Sequence, residues 1–126
     1  AAHWGTQYTT ELVPDQQKVA RALVDAGADV VLGGHPHWVQ GAELRGESLI
    51  AYSLGNFVFD MTFMQQTQEG VALELVFWGP RLVAAEFVPV RIGPDFAPRV
   101  VPYADGLPIL QQLWSASAPP YGLRRQ

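Results

Sequence analysis

Cysteine is absent from the 126-residue chain, which removes disulfide frameworks, thiolate metal ligands and cysteine nucleophiles from consideration. Lysine is almost absent too. Lys18 stands alone beside seven arginines, and twelve acids outnumber the eight bases to give a formal net charge of -4. Binding a nucleic-acid backbone calls for a basic face, so nucleic acid is not an expected partner. No apolar run approaches the ~20 residues needed to span a bilayer, and neither a Gly-rich phosphate loop nor a serine-elbow pattern occurs. The chain opens on Ala1-Ala2-His3-Trp4 without a signal-peptide pattern. What is present is 48% apolar residues, enough for a packed core, cut into short elements by 12 Gly and 10 Pro.

Residues 14–26 have helical spacing. Val19, Ala22, Leu23 and Ala26 share one predicted face, and Lys18, Arg21 and Asp25 the other. Pro14 and Asp15 suit a first turn, and Gly27 the position just past the end. Asp29-Val30-Val31-Leu32 follows at once and ends in Gly33-Gly34, so the helix delivers a buried strand in the manner of an α/β unit with a parallel sheet. Such sheets place ligands at the carboxyl ends of their strands. Beyond this point the pattern turns antiparallel. Residues 39–44 and 49–54 flank the turn 45–48, and 71–78 and 82–92 flank Gly79-Pro80-Arg81 as a hairpin. Both arms of that hairpin are apolar on both faces, which predicts a sheet covered on both sides. Residues 93–105 read as connections, 107–116 as a last helix and 117–126 as a loose tail. The tryptophans and phenylalanines read as core and hairpin packing.

The chemistry concentrates in Gly33-Gly34-His35-Pro36-His37, directly after the buried strand. On an extended backbone, imidazoles two residues apart project to similar sides and can approach one metal or a closely spaced pair. The glycines allow a tight turn and Pro36 stiffens it. Taken alone, the pair also reads as two surface-loop histidines, and the strand-Gly-Gly context favours the metal. His3, the third histidine, joins them if its strand lies beside strand 29–32, an arrangement the connecting helix favours. Asn56 and Asp60, in the stretch from Ser53 onward, are compatible with simple turn chemistry.

The strings His3-Trp4-Gly5-Thr6-Gln7-Tyr8, Pro14 with Gln17, Ala26-Gly27-Ala28-Asp29-Val30-Val31, Gly34-His35-Pro36-His37 with Gln40, and Tyr52-Ser53-Leu54-Gly55-Asn56-Phe57 follow one another in order. Together they resemble the CapA-type poly-gamma-glutamate capsule-synthesis proteins, within the calcineurin-like metallophosphoesterase superfamily. The resemblance covers residues 1–60, extends to the 70–92 hairpin in character only, and stops before residue 100. It implies an α/β fold, namely the carboxyl-terminal half of a four-layer α/β/β/α sandwich with one helix-strand unit followed by antiparallel hairpins. Residues 1–104 would form that half-domain, and 105–126 a short helix and loose tail.

By the same resemblance, His35 and His37 are metal ligands and His3 is a third. His3 and His35 would share one ion and His37 would serve another, while Asn56 and Gln7 line the wall. Two divalent ions (Mn, Fe, Zn or Co) are implied, in a hydrolase acting on a phosphoester or amide. No catalytic acid or base is assigned. The implied location is the extracytoplasmic face of a bacterial envelope, with an upstream segment as anchor. The implied partners are the amino-terminal half of the same domain and poly-gamma-glutamate or its export proteins. Two departures qualify this. Gln7 stands where family members commonly carry Glu, and an amide cannot act as a general base. The family's early Asp motif, second Asp and Asn-His pair precede the matching segment, so the chain alone is expected to be inactive and loosely packed. The alternative readings are a non-catalytic envelope component that binds polyglutamate or its export machinery, and a packing module with incidental histidines.

Overall fold

Pro14 opens the first helix because its fixed φ suits a first turn and its missing N–H would have no helical partner there. The computed structural model describes residues 1–122. In it, helix α1 runs Pro14–Asp25 after the short strand β1, Ala2–His3. The side chain of Gln16 folds back so that its Oε1 accepts from the Val13 N–H at 3.1 Å, which gives the helix start half of a capping box. At the other end Gly27 adopts φ 103°. The Ala28 N–H reaches the Leu23 carbonyl and the Gly27 N–H the Val24 carbonyl, a Schellman arrangement that satisfies the last carbonyls. Strand β2, Val30–Gly34, then returns parallel to β1.

Strands β3 (Ala42–Arg45) and β4 (Ser48–Ala51) form the first hairpin around Gly46, whose φ is 64°. The resulting sheet has the order β1-β2-β4-β3, with β1, β2 and β4 parallel and β3 antiparallel at the edge. A 3₁₀ turn at Gln66–Gln68 leads into β5, Glu69–Trp78. That strand pairs with β6 (Arg81–Ile92), which pairs with β7 (Pro98–Val100), in a three-stranded antiparallel sheet. A single bridge of Val39 with Leu54 extends the first hairpin, and one of Gly55 with Gly70 of β5 connects the sheets. Helix α2, Tyr103–Ser115, closes the order. The molecule is thus mixed α/β, with two sheets and two helices among the described residues.

Two cores follow from this layout. Ala20, Val31, Ile50 and Tyr52 pack between α1 and the first sheet, joined by Trp4, Leu12 and Val24. Val39, Ala42, Val71, Ile109, Leu110 and Leu113 pack α2 against the base of the second sheet. The helical face differs from the expected one. Gln16 and Ala20 are the buried positions of α1, whereas Val19 and Leu23 are 47% and 41% exposed. Hydrophobic spacing misplaced the face because a buried glutamine, hydrogen-bonded at both its amide oxygen and its amide nitrogen, occupies a position that the pattern counts as polar.

The long hairpin also differs from expectation. Its base is buried at Val71, Val90 and Ile92, but Val76, Phe77, Trp78 and Val83 stand open, Trp78 at 82% exposure. Helix α2 is 13 residues long and lies near the base, so it leaves much of the distal arms open, although Arg81 at their tip bonds to Glu47 in the turn of the first hairpin. The last helix begins four residues earlier than the spacing predicted. Past it, the Ala42 N–H donates to Ser117 Oγ and the Ala118 N–H to the Ala42 carbonyl, so the tail is tied down at its start. Residues 123–126 of the expected loose tail lie outside the described residues. No described helix is long and apolar enough to cross a membrane.

A polar triad sits at the edge of the first core. Arg21 holds Glu43 through two hydrogen bonds of 3.1 Å, and the buried Tyr52 hydroxyl donates to the same carboxylate at 2.8 Å. Burial alone would raise the Glu43 carboxyl, but the hydrogen bonds from Arg21 and Tyr52 outweigh it and hold it below the usual range. Burial and the bond to Glu43 push the Tyr52 phenol well above its ordinary value. Tyr52→Phe should therefore cost about 1.5–3 kcal/mol, read by denaturant unfolding. A carboxyl held low in the folded state stabilises above its unfolded value of about 4.3 and loses that contribution as pH falls through the folded value. The acid limb of a stability–pH curve should accordingly flatten in Glu43→Gln.

Candidate functional site

The carboxyl ends of β1 and β2 bring the histidines together. His3 lies opposite Gly34 in the parallel ladder, and the Trp4 N–H donates to the Gly34 carbonyl at 3.1 Å. The His3 and His35 rings are 4.5 Å apart between centroids, tilted by 53°. His37 lies 6.1 Å beyond His35. His3 is exposed, and His35 and His37 are half-buried.

The means of convergence is not the extended backbone expected. His35 has φ 99° and His37 φ 61°, so the chain coils in left-handed conformations around the buried Pro36. Tyr8, on the facing loop, is left-handed as well, at φ 60°. Such residues cost of order 1–3 kcal/mol each and concentrate where surrounding structure enforces them, often at functional sites. Gly33 and Gly34 are not the turning residues; both belong to β2. Gly33 is needed for close approach instead. A Cβ there would collide with the Tyr52 carbonyl and the Trp4 indole, whose Nε1 donates to that carbonyl at 2.8 Å.

The loop between β1 and α1 folds over the histidines and is held from below. Gln40 Nε2 donates to the carbonyls of Thr9 and Glu11, both at 3.1 Å, and Gln40 Oε1 accepts from Gln16 Nε2 at 2.9 Å. Both glutamines are 1% exposed, so this amide chain is a satisfied buried network that fixes the loop's height. The Tyr8 N–H donates to the Pro36 carbonyl at 2.9 Å, and its ring stacks on His37 at 6.0 Å. Phe59 approaches His37 at 5.2 Å and Phe63 meets Tyr8 edge-on at 5.5 Å. Phe57, Phe59 and Phe63 are exposed rather than packed in the core, and Phe59 and Phe63 wall the site. Sequence reasoning missed Tyr8 and the glutamine pair. The signal for the pair was a polar residue on an otherwise closed helix face.

Asn56 is buried, with Oδ1 2.9 Å from His37 Nδ1 and Nδ2 donating to the Thr67 carbonyl at 2.9 Å. Gln7 is exposed beside Tyr8. Among the described residues, no group of three or more His, Cys, Asp or Glu side chains is arranged to hold one metal ion. The donors fit part of a metal centre, an imidazole pair from His3 and His35 with His37 alongside, and carboxylates that would complete it are not in the group. An apolar groove of about 410 Å³ opens elsewhere, between β6 and α2, lined by residues such as Phe87, Leu110 and Trp114 and by none of the histidines.

A mixed α/β chain with histidines gathered at the carboxyl edge of a parallel β-α-β unit is the class that fold and site define. The sequence model of the family described as bacterial capsule synthesis protein PGA_cap matches residues 1–61. The chain is 50% identical over 58 residues to a capsule biosynthesis protein CapA of Bacillus anthracis, covering 46% of this chain and 14% of that protein. It is 48% identical over 59 residues to the PGA biosynthesis protein CapA of Bacillus subtilis strain 168, covering 47% and 16%. Residues 1–61 thus match the CapA-type capsule-synthesis family, and the matched segment spans about a seventh of the length of these relatives.

The placement of the histidines depends on Gly33. Gly33→Ala should lower stability by about 1–3 kcal/mol through overpacking, measured by chemical denaturation. An unchanged midpoint would show that Trp4 does not cross there.

Proposed function

We propose that this chain supplies the histidine edge of a two-metal hydrolase centre in a CapA-like protein of capsule synthesis, acting at the bacterial envelope on a phosphoester or amide. The observation that carries the reading is the approach of the His3 and His35 rings to 4.5 Å at the ligand edge of a parallel sheet. His3 and His35 would hold one divalent ion and His37 a second. Ions bound there would lower the pKa of a coordinated water and polarise the scissile group. The chain's own residues do the positioning. Trp4 and Gly33 set His3 against His35, while Tyr8 and Phe59 confine the His37 ring. Acidic ligands would come from a further part of the same domain, in a four-layer sandwich whose second sheet also covers the open hairpin arms.

Gln7 favours a second reading, a non-catalytic envelope component that binds polyglutamate or its export machinery, because an amide supplies no general base. A chain of net charge -4 would then meet a polyanion through bound cations. The test is metal content of the purified protein that carries this chain. His35→Ala/His37→Ala should retain markedly less Mn, Fe, Zn or Co than the parent by mass spectrometry. Equal content in the two sinks the proposal, and a metal-replete parent that binds the polymer but turns over no ester or amide selects the second reading.

A further inference from the structure

We propose that Asn56 is a positioning residue that holds His37 as its Nδ1–H tautomer and leaves Nε2 as the atom free to bind a ligand. The argument starts from the amide, whose two ends are chemically distinct. Asn56 Nδ2 donates to the Thr67 carbonyl at 2.9 Å. That carbonyl cannot move away easily, because Thr67 is fully buried and its hydroxyl lies 2.8 Å from the carbonyls of both Met61 and Met64, either of which can accept its one proton. A flipped amide would set Oδ1 against the Thr67 carbonyl, two acceptors facing each other in a buried place. Oδ1 is thereby aimed at His37 Nδ1, 2.9 Å away.

An amide oxygen only accepts, so a hydrogen bond at this distance requires the proton on Nδ1. Neutral imidazole has one N–H, which leaves the Nε2 lone pair unprotonated. The ring has little freedom to turn away. Tyr8 stacks on it at 6.0 Å, Phe59 stands at 5.2 Å, and the His37 backbone is held at φ 61°. Asn56 is itself fixed by its neighbours, since its backbone carbonyl lies against Gly70, where a Cβ would collide with it. The chain from Met61 through Thr67 and Asn56 to His37 thus orients one ring nitrogen, the arrangement by which outer partners tune metal-binding histidines.

The tautomer follows from these contacts alone; its use in metal binding rests on the function proposed above. The test is long-range proton–nitrogen NMR of the metal-free protein, about two units above the ordinary imidazole pKa of ~6.5. The spectrum should show His37 with a protonated Nδ1 and an unprotonated Nε2. Asn56→Leu should return His37 toward the Nε2–H form that free histidine side chains favour, and should weaken metal binding about 10–100-fold by titration calorimetry. Should the variant not fold, the parent spectrum decides by itself. A proton on Nε2 in the parent overturns the assignment whatever the metal does. A protonated Nδ1 in a protein that binds no metal supports the assignment and removes the metal reading instead.

Discussion

The Trp4 indole reaches across Gly33 to the Tyr52 carbonyl at 2.8 Å, and the arrangement of the histidines depends on that crossing. Strand β1 has two residues, too few for its ladder to hold it in place. The indole extends the attachment past β2 to the end of β4, using space that exists only because residue 33 has no side chain. With that clamp in place, His3 lies beside Gly34 and against His35. The Gln16–Gln40 pair does the same for the loop that follows. It carries helix α1, the loop carbonyls of Thr9 and Glu11, and the segment after His37 in one buried chain of amides.

Three non-glycine residues in left-handed conformations meet at one place, Tyr8, His35 and His37. Each carries a cost that the surroundings must offset. The offsets are visible: the Tyr8 N–H bonds to the Pro36 carbonyl, Pro36 is buried, and Asn56 holds the His37 ring. A fourth such residue, Phe96, sits apart from them in the turn closed between Gly93 and Ala97. The concentration of strain at the histidines, with aromatic walls beside them, sets this edge apart from the rest of the sheet.

Much of this was legible in the residues. The helix-strand unit, Gly27 at the helix end, both hairpins and the adjacency of His3 to His35 all follow from local patterns and the handedness of β-α-β connections. What was not legible has a common physical cause, because it depends on partners distant in sequence. Gln16 is buried only because Gln40 meets it, and Val19 is exposed in consequence. Gly33 resembles a turn glycine until Trp4 is seen above it. The hairpin arms are apolar on both faces, yet nothing local shows that α2 stops short of their tips. Asn56 resembles an ordinary turn residue because its significance lies in Thr67 and His37, 11 and 19 positions away.

The central claim is that this fold brings His3 and His35 together as ligands of one ion. X-ray absorption on the zinc-loaded protein that carries this chain examines that shell directly. The account predicts imidazole scattering around zinc that weakens in His3→Ala and again in His35→Ala. A first shell of oxygen donors, the same in the parent and both variants, would contradict it.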